Sequence, residues 1–213
     1  MTDQFHLFPV RTTERPDLLD ADVEYIAGFF SDDRADEMLR AVEATTAWTQ
    51  ESIEMYGRSV PIPRLSAWHG DPGCRYTYSN IEMAPVPWTE PLRAIGDAVG
   101  REAGVHFNSV LANLYRHGRD SVAWHSDDEP ELGPEPVIAS VSLGATRTFQ
   151  LRRRVQQDAR WAVELTHGSL LIMRGPTQRN WMHQVPKTKR PVGPRVNLTY
   201  RVIVPVGGPR PPR

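Results

Sequence analysis

From Phe107 onward the chain breaks into short extended stretches separated by turn residues, and that punctuation limits it to a strand-rich fold. The pattern predicts strands at 107–116, 137–144, 146–153, 161–166, 169–174, 182–186 and 195–204. Gly118, Gly133-Pro134, Gly144, Gly168, Gly175-Pro176 and Pro191 mark the turns between them. Two helices precede this run. One starts after Ser31, carries Asp32 and Asp33 in its first turn and runs to about Thr45, with Met38, Leu39 and Val42 inward. The other spans about Pro91 to Ala103, capped by Thr89, with Leu92, Ile95 and Val99 inward. Val23 to Phe30 reads as a further strand. Helices followed by many strands indicate an α+β domain built on a double-sheet jelly roll.

The expected organisation is one compact domain. Residues 1–20 form an irregular N-terminal segment, 21–106 an N-terminal extension with a recognition lid, 107–205 the jelly-roll core and 206–213 a flexible tail. Hydrophobic residues at 39% and charged residues at 24% suit a globular chain of 213 residues with one sizeable core. No apolar run is long enough to cross a bilayer, and the N-terminus lacks the basic start and apolar stretch of a signal peptide. The single cysteine, Cys74, excludes an internal disulfide and any multi-cysteine metal site. A cytoplasmic monomer without a membrane partner is the expectation, nucleoid-associated if the source is bacterial. The net charge is −1, but residues 1–55 hold 13 acidic against 4 basic residues, and residues 56–213 hold 13 against 21. One face can therefore meet a polyanion, or the two halves can neutralise each other across the fold.

Chemistry first shows in Trp124-His-Ser-Asp-Asp-Glu129. Residues i and i+2 of an extended stretch share a face, so His125 and Asp127 can converge on one point. A second histidine must come from elsewhere. His167 lies in a turn, whereas His183 opens a short strand and can be held inward, so His183 is the expected third ligand. His117 reads as a solvated loop histidine. Two histidines and one carboxylate suit non-haem iron(II), with positions left open for cosubstrate and dioxygen. Zinc hydrolases use similar sets, and His-x-Asp alone is common by chance.

The companion signal is Pro194-Arg-Val-Asn-Leu-Thr-Tyr-Arg-Val-Ile203. Arg195, Asn197, Thr199 and Arg201 share one face, and Val196, Leu198, Tyr200 and Val202 the other. An exposed polar face would alternate in the same way. Two arginines flanking an asparagine and a threonine also suit a ligand with two carboxylates, because the guanidinium fork grips carboxylate in bidentate fashion. 2-Oxoglutarate is such a ligand. Asn113 and Tyr115 share a face in a third strand and offer neutral hydrogen bonds.

In order, Asn113-Leu-Tyr-Arg, His125-Ser-Asp-Asp-Glu, Ala139-Ser-Val-Ser-Leu-Gly144, His167-Gly-Ser-Leu-Leu171, His183 and Arg195-Val-Asn-Leu-Thr-Tyr-Arg201 resemble the AlkB family of dealkylating dioxygenases. The resemblance covers roughly residues 53–204 and is nearest to the animal nuclear homologues that repair double-stranded DNA. It implies an Fe(2+) enzyme that consumes 2-oxoglutarate and O2 and removes N-alkyl groups from bases such as 1-methyladenine and 3-methylcytosine. Metal ligands would be His125, Asp127 and His183. Asn113, Tyr115, Arg195, Asn197, Thr199 and Arg201 would bind 2-oxoglutarate, Arg195 and Tyr115 at the distal carboxylate and Asn113 and Arg201 nearer the metal. Asp128 would contact an exocyclic amino group of the base, supported by Glu129. Tyr76 and Tyr78 would wall the pocket for an extruded base. Residues 53–64 resemble a hairpin that reaches into DNA, with Tyr56 in the intercalating position and Arg64 near the lesion. Lys187, Lys189 and Arg190 would hold phosphates, unless they form an ordinary solvated loop. Alternatives are an RNA or nucleotide demethylase, a dioxygenase for a protein or small molecule, and a non-catalytic nucleic-acid-binding module.

Overall fold

The computed structural model describes residues 11–55, 57–74, 76–78, 81–83, 85–156 and 158–204. The N-terminal half contains β1 (Thr12–Glu14), β2 (Asp22–Ala27), α1 (Asp32–Thr45), β3 (Ser52–Met55), β4 (Arg58–Pro61) and β5 (Leu65–Gly70). After these come β6 (Tyr76–Tyr78), β7 (Ile81–Met83), α2 (Glu90–Ala103), β8 (Ser109–Tyr115) and β9 (Val122–His125). The remainder is β10 (Ile138–Gly144), β11 (Arg147–Arg153), β12 (Arg160–Leu165), β13 (Ser169–Arg174), α3 (Thr177–Asn180), β14 (Trp181–Val185) and β15 (Arg195–Arg201).

Among the described residues, seven strands form a large sheet in the order β1-β2-β13-β10-β15-β8-β5. Four form a smaller sheet, β12-β11-β14-β9. Every pairing within the two sheets is antiparallel. The large sheet is covered on one face by α1 and α2 and on the other by the smaller sheet. Alternation divides its side chains accordingly. Val141, Leu143, Leu170, Ile172, Val196, Leu198 and Tyr200 pack with Met38, Val42, Leu92, Ile95 and Val99 of the helices. Ile138, Leu171 and Met173 pack with Phe149, Leu151, Trp181 and Val185 between the sheets. Burial on both faces explains why β13 reads as the unbroken apolar run Leu170-Leu-Ile-Met173.

The expected side-chain cap forms at α1 but not at α2. Ser31 Oγ accepts from the Arg34 N–H and caps α1. Thr89 occupies the N-cap of α2 but makes no side-chain cap bond; there the Arg93 N–H returns to the Thr89 carbonyl at 3.1 Å. Gly96 lets α2 lie against the Tyr200 ring, because a Cβ there would sit 2.9 Å from Cε1. The Tyr200 hydroxyl donates to the Leu92 carbonyl at 2.8 Å, which locks β15 under the helix.

Three expectations change. Residues 12–14, read as irregular, pair with β2 as an exposed edge strand, and so short a polar stretch has no apolar alternation to reveal it. The strand beginning near Val23 ends at Ala27, where Gly28 turns the chain with φ 61°. The boundary near residue 107 is not a layer boundary, because β2 pairs with β13 and β5 with β8 inside the large sheet. The tail 206–213 and residues 1–10 lie outside the described residues. No helix among the described residues is long and apolar enough to cross a membrane.

Candidate active site

The face of β15 turned toward the smaller sheet carries Arg195, Asn197, Thr199 and Arg201. Antiparallel register sets Arg195 opposite Tyr115 and Asn197 opposite Asn113 on β8. On the other side Asn197 faces Ser142, and Thr199 faces Ser140, on β10. Asn113, Tyr115, Ser140, Asn197, Thr199 and Arg201 bound a cavity whose opposite wall is His125, Phe149, His183 and Val185 of the smaller sheet. The alternation of residues 194–203 therefore sorts polar groups into an enclosed space, not onto a solvent face.

His125 and His183 are direct partners across β9 and β14, with ring centroids 4.2 Å apart. The pairing slips between His183 and Val185, so that Val122, three residues before His125, pairs with Val185. That bulge re-aims His125 into the cavity. His125 Nδ1 lies 2.8 Å from the Ala123 carbonyl, which fixes a protonated Nδ1 and leaves Nε2 for a ligand. His183 stacks on Phe149, with centroids 5.4 Å apart. Asp127 lies beyond the end of β9, so its place depends on loop contacts and not on strand alternation. Its N–H donates to Gln178 Oε1 at 3.0 Å, and Ser126 Oγ donates to the Trp181 carbonyl at 2.8 Å.

One donor atom from each of His125, Asp127 and His183 lies within 4.8 Å of the others. Burial, reinforced by the neighbouring His125, lowers the His183 pKa to about 3, so its imidazole is the neutral form that ligates metal. Its Nδ1 is buried without a hydrogen-bond partner. Burial alone would raise the Asp127 carboxyl, but Arg201 and the two histidines outweigh it and hold the pKa at about 2. A neutral imidazole and an ionised carboxylate, brought together with an unpartnered buried nitrogen, fit a divalent iron ion. His167 stands apart from this group: its Nδ1 accepts the Gly144 N–H at 2.8 Å, and its Nε2 lies 3.3 Å from Asp36. His117 sits in the turn beside Asp120.

The arginines divide by depth. Arg201 Nη2 donates to Asp127 Oδ1 at 2.7 Å, joining the clamp strand to the metal ligand. Arg195 is fully buried, and one nitrogen, Nη2, bonds Ser142 Oγ at 2.9 Å and Asn197 Oδ1 at 3.2 Å. Its Nε and Nη1 have no partner, so two donors of a buried cation await an acceptor. Burial lowers its pKa to about 10, leaving it charged at neutral pH. Its guanidinium lies 5.1 Å from the Tyr115 ring centre, and that of Arg147 lies 5.7 Å from the same ring.

Arg147 carries no signal in the sequence. It is buried, and donates to the carbonyls of Asp120 and Pro186 at 2.9 and 2.6 Å. Gln178 was equally silent, because its partner is 51 residues away and its own neighbourhood reads as a turn. Arg64 lines the cavity, its Nε donating to Asn113 Oδ1 at 2.7 Å and its Nη1 to the Ser121 carbonyl at 3.3 Å.

The remaining expected residues lie outside the cavity or outside the described set. Asp128 is exposed beside the site and ion-paired with Arg154. Glu129 precedes the short turn Pro130–Leu132, its carbonyl accepting the Leu132 N–H at 2.9 Å. Lys187, Lys189 and Arg190 are exposed on a loop joined to the 116–119 turn by the Thr188 N–H and Gly118 carbonyl at 2.8 Å. The backbones of Tyr76 and Tyr78 pair with Met83 and Ile81, and β3 pairs with β4 as a two-stranded hairpin. Tyr56 lies outside the described residues. A wider cleft beside the start of α2 shares no lining residue with the histidine site.

Two antiparallel sheets enclosing a His–Asp–His set beside an arginine-bearing strand define the class. The chain belongs to the 2OG-Fe(II) oxygenase superfamily, whose model matches residues 22–201, and within it to the AlkB family. It is 43% identical to the alpha-ketoglutarate-dependent dioxygenase alkB homolog 3 of Homo sapiens over 187 residues, 84% of this chain and 65% of that protein. It therefore spans a little under two thirds of that relative's length. It is 38% identical to the DNA oxidative demethylase ALKBH2 of Mus musculus over 186 residues, 83% of this chain and 78% of that protein. The solved structure of OsALKBH1 superposes with a TM-score of 0.65 at 17% identity, covering 90% of this chain and all of that one, which bears on the fold alone.

Proposed function

We propose that this chain oxidatively removes N-alkyl groups from nucleobases in DNA, 1-methyladenine and 3-methylcytosine among them, with 2-oxoglutarate decarboxylated to succinate. The observation that supports the reading is the 2.7 Å bond from Arg201 to Asp127, which joins the strand of the expected dicarboxylate clamp to one of the expected metal ligands. His125, Asp127 and His183 would hold iron(II), which would supply the dioxygen chemistry that couples decarboxylation to hydroxylation of the alkyl carbon. The hydroxylated N-alkyl group then falls apart to aldehyde and free base, a step that asks for no protein nucleophile.

The chain's own residues bind and orient. Arg195, buried behind the cavity lining with two unpartnered donors, takes the distal carboxylate of 2-oxoglutarate, with Tyr115 beside it. Asn113, steadied by Arg64, and Arg201 take the end nearer the metal. Asn197 and Thr199 line the space between. Apolar walls from Phe149, Met173 and Val185 keep bulk water from these groups.

At the mouth, Asp128 meets an exocyclic amino group of an extruded base, which requires it to share or release Arg154. Glu129 supports it, and Tyr76 and Tyr78 wall the base pocket. The hairpin β3–β4 acts as the recognition lid, and Tyr56, which follows β3 in the sequence, fills the gap in the stack. Lys187, Lys189 and Arg190 hold phosphates. The enzyme works as a cytoplasmic monomer. The similarity to the DNA oxidative demethylase ALKBH2 of Mus musculus supports DNA as the substrate. The test is formaldehyde release, with iron(II) and 2-oxoglutarate, from matched methylated single-stranded DNA, duplex DNA and RNA. Release from DNA above RNA supports the proposal; release from RNA alone, or from none, overturns it.

A further inference from the structure

Asp127 has to present its carboxylate from a loop, since β9 ends two residues earlier. The other two ligands are held by strand pairing; Asp127 is held by Gln178. That side chain is 1% exposed, and its Oε1 accepts the Asp127 N–H at 3.0 Å. Its Nε2 donates to Met173 Sδ at 3.3 Å, which fixes the amide's orientation. Gln178 stands on the one-turn helix α3, and its neighbour Thr177 is pinned in turn. Thr177 Oγ1 accepts the Asp22 N–H at 2.9 Å and donates to the Arg174 carbonyl at 2.6 Å. Asp127 itself is 3% exposed, so its N–H has no ready exchange with water.

Resting on the metal-site reading above, we propose that Gln178 is the positioning residue of the metal carboxylate. By accepting the Asp127 N–H it sets the peptide plane, and with it the direction from which the carboxylate reaches the ion. Arg201 then holds one carboxylate oxygen, and the other is left for the metal. Partners behind metal ligands tune affinity strongly, and their loss typically weakens binding about ten- to a hundredfold.

The test is Mn(II) titration of the whole protein in the presence of 2-oxoglutarate, with free Mn(II) read by electron paramagnetic resonance. Gln178→Met keeps length but removes the amide acceptor, and is expected to weaken Mn(II) binding at least about tenfold. Gln178→Glu keeps an acceptor oxygen at the same distance along the side chain and should recover most of that loss. Parent-like binding by Gln178→Met overturns the proposal, and so do equal losses in both variants, which would mark a packing role. Hydrogen exchange on the parent reads the same bond if a variant does not fold: a slow Asp127 amide supports it and a fast one overturns it. A parent that binds no Mn(II) removes the metal site and this proposal together, an outcome distinct from variants that match a binding parent.

Discussion

Arg201 and Asp127 form a short ion pair, 2.7 Å from Nη2 to Oδ1, with side-chain exposures of 14% and 4%. The pair does two jobs, neutralising a buried carboxylate and tying the clamp strand to the metal ligands. Arg201→Ala leaves Asp127 buried without its cation, a change that costs about 3–5 kcal/mol when a buried pair is broken from one side. Mn(II) should restore much of that loss, because the ion supplies the missing positive charge. Thermal unfolding with and without Mn(II) checks this; an Arg201→Ala protein as stable as the parent without metal would refute it. The 2-oxoglutarate requirement of the variant should rise sharply.

Arg195 behaves differently, because its charge is buried with two donors unpartnered. Arg195→Met should change the stability of the metal-free protein by no more than about 1 kcal/mol, or raise it, since apolar replacement of a buried charge is often neutral or stabilising. Binding of 2-oxoglutarate should fall roughly ten- to a hundredfold, the worth of lost charged hydrogen bonds. Calorimetric titration beside a melting curve separates the two. Intact 2-oxoglutarate binding in a badly destabilised variant would make Arg195 structural.

Asp120 offers a prediction in pH. Its buried carboxylate accepts from the Arg116 backbone at 2.9 Å and from Arg116 Nε and Nη2 at 2.8 and 3.0 Å. Burial would raise its pKa, but the bonds from Arg116 prevail and hold it below the ordinary carboxylate range. The unfolded chain therefore takes up the proton first as pH falls. The stabilisation is complete above the unfolded pKa of about 4 and fades as pH drops toward the lower folded value. Asp120→Asn should cost about 1–3 kcal/mol at pH 7, and the gap in urea midpoint should narrow between about pH 4 and the lower folded value. A gap independent of pH would assign the loss to packing instead.

Much of this site was legible in the sequence where a period governs. The two-residue repeat of residues 194–203 sorted Arg195, Asn197, Thr199 and Arg201 onto one face, and that face lines the cavity except for Arg195, which lies buried behind it. Ser31 and the first-turn aspartates marked α1 to within a residue. Placing His183 above His167 followed from one lying in a strand and the other in a turn, and the geometry agrees. What escaped depends on partners remote in sequence. The bulge at Ala123–Trp124 exists only against β14. Gln178 and Arg147 act on carbonyls and amides brought near by folding, and no local pattern encodes such a bond. Arg64 is expected near the lesion, yet its side chain reaches Asn113 in the cavity, a contact no local pattern encodes.

Formaldehyde release from a methylated single-stranded DNA oligonucleotide, followed with and without added iron(II) for the parent and for His183→Ala, tests the central claim most directly. Turnover should require both iron(II) and 2-oxoglutarate in the parent and be lost in a folded His183→Ala protein. Release that persists without iron, or that survives in His183→Ala at the parent rate, would contradict the account.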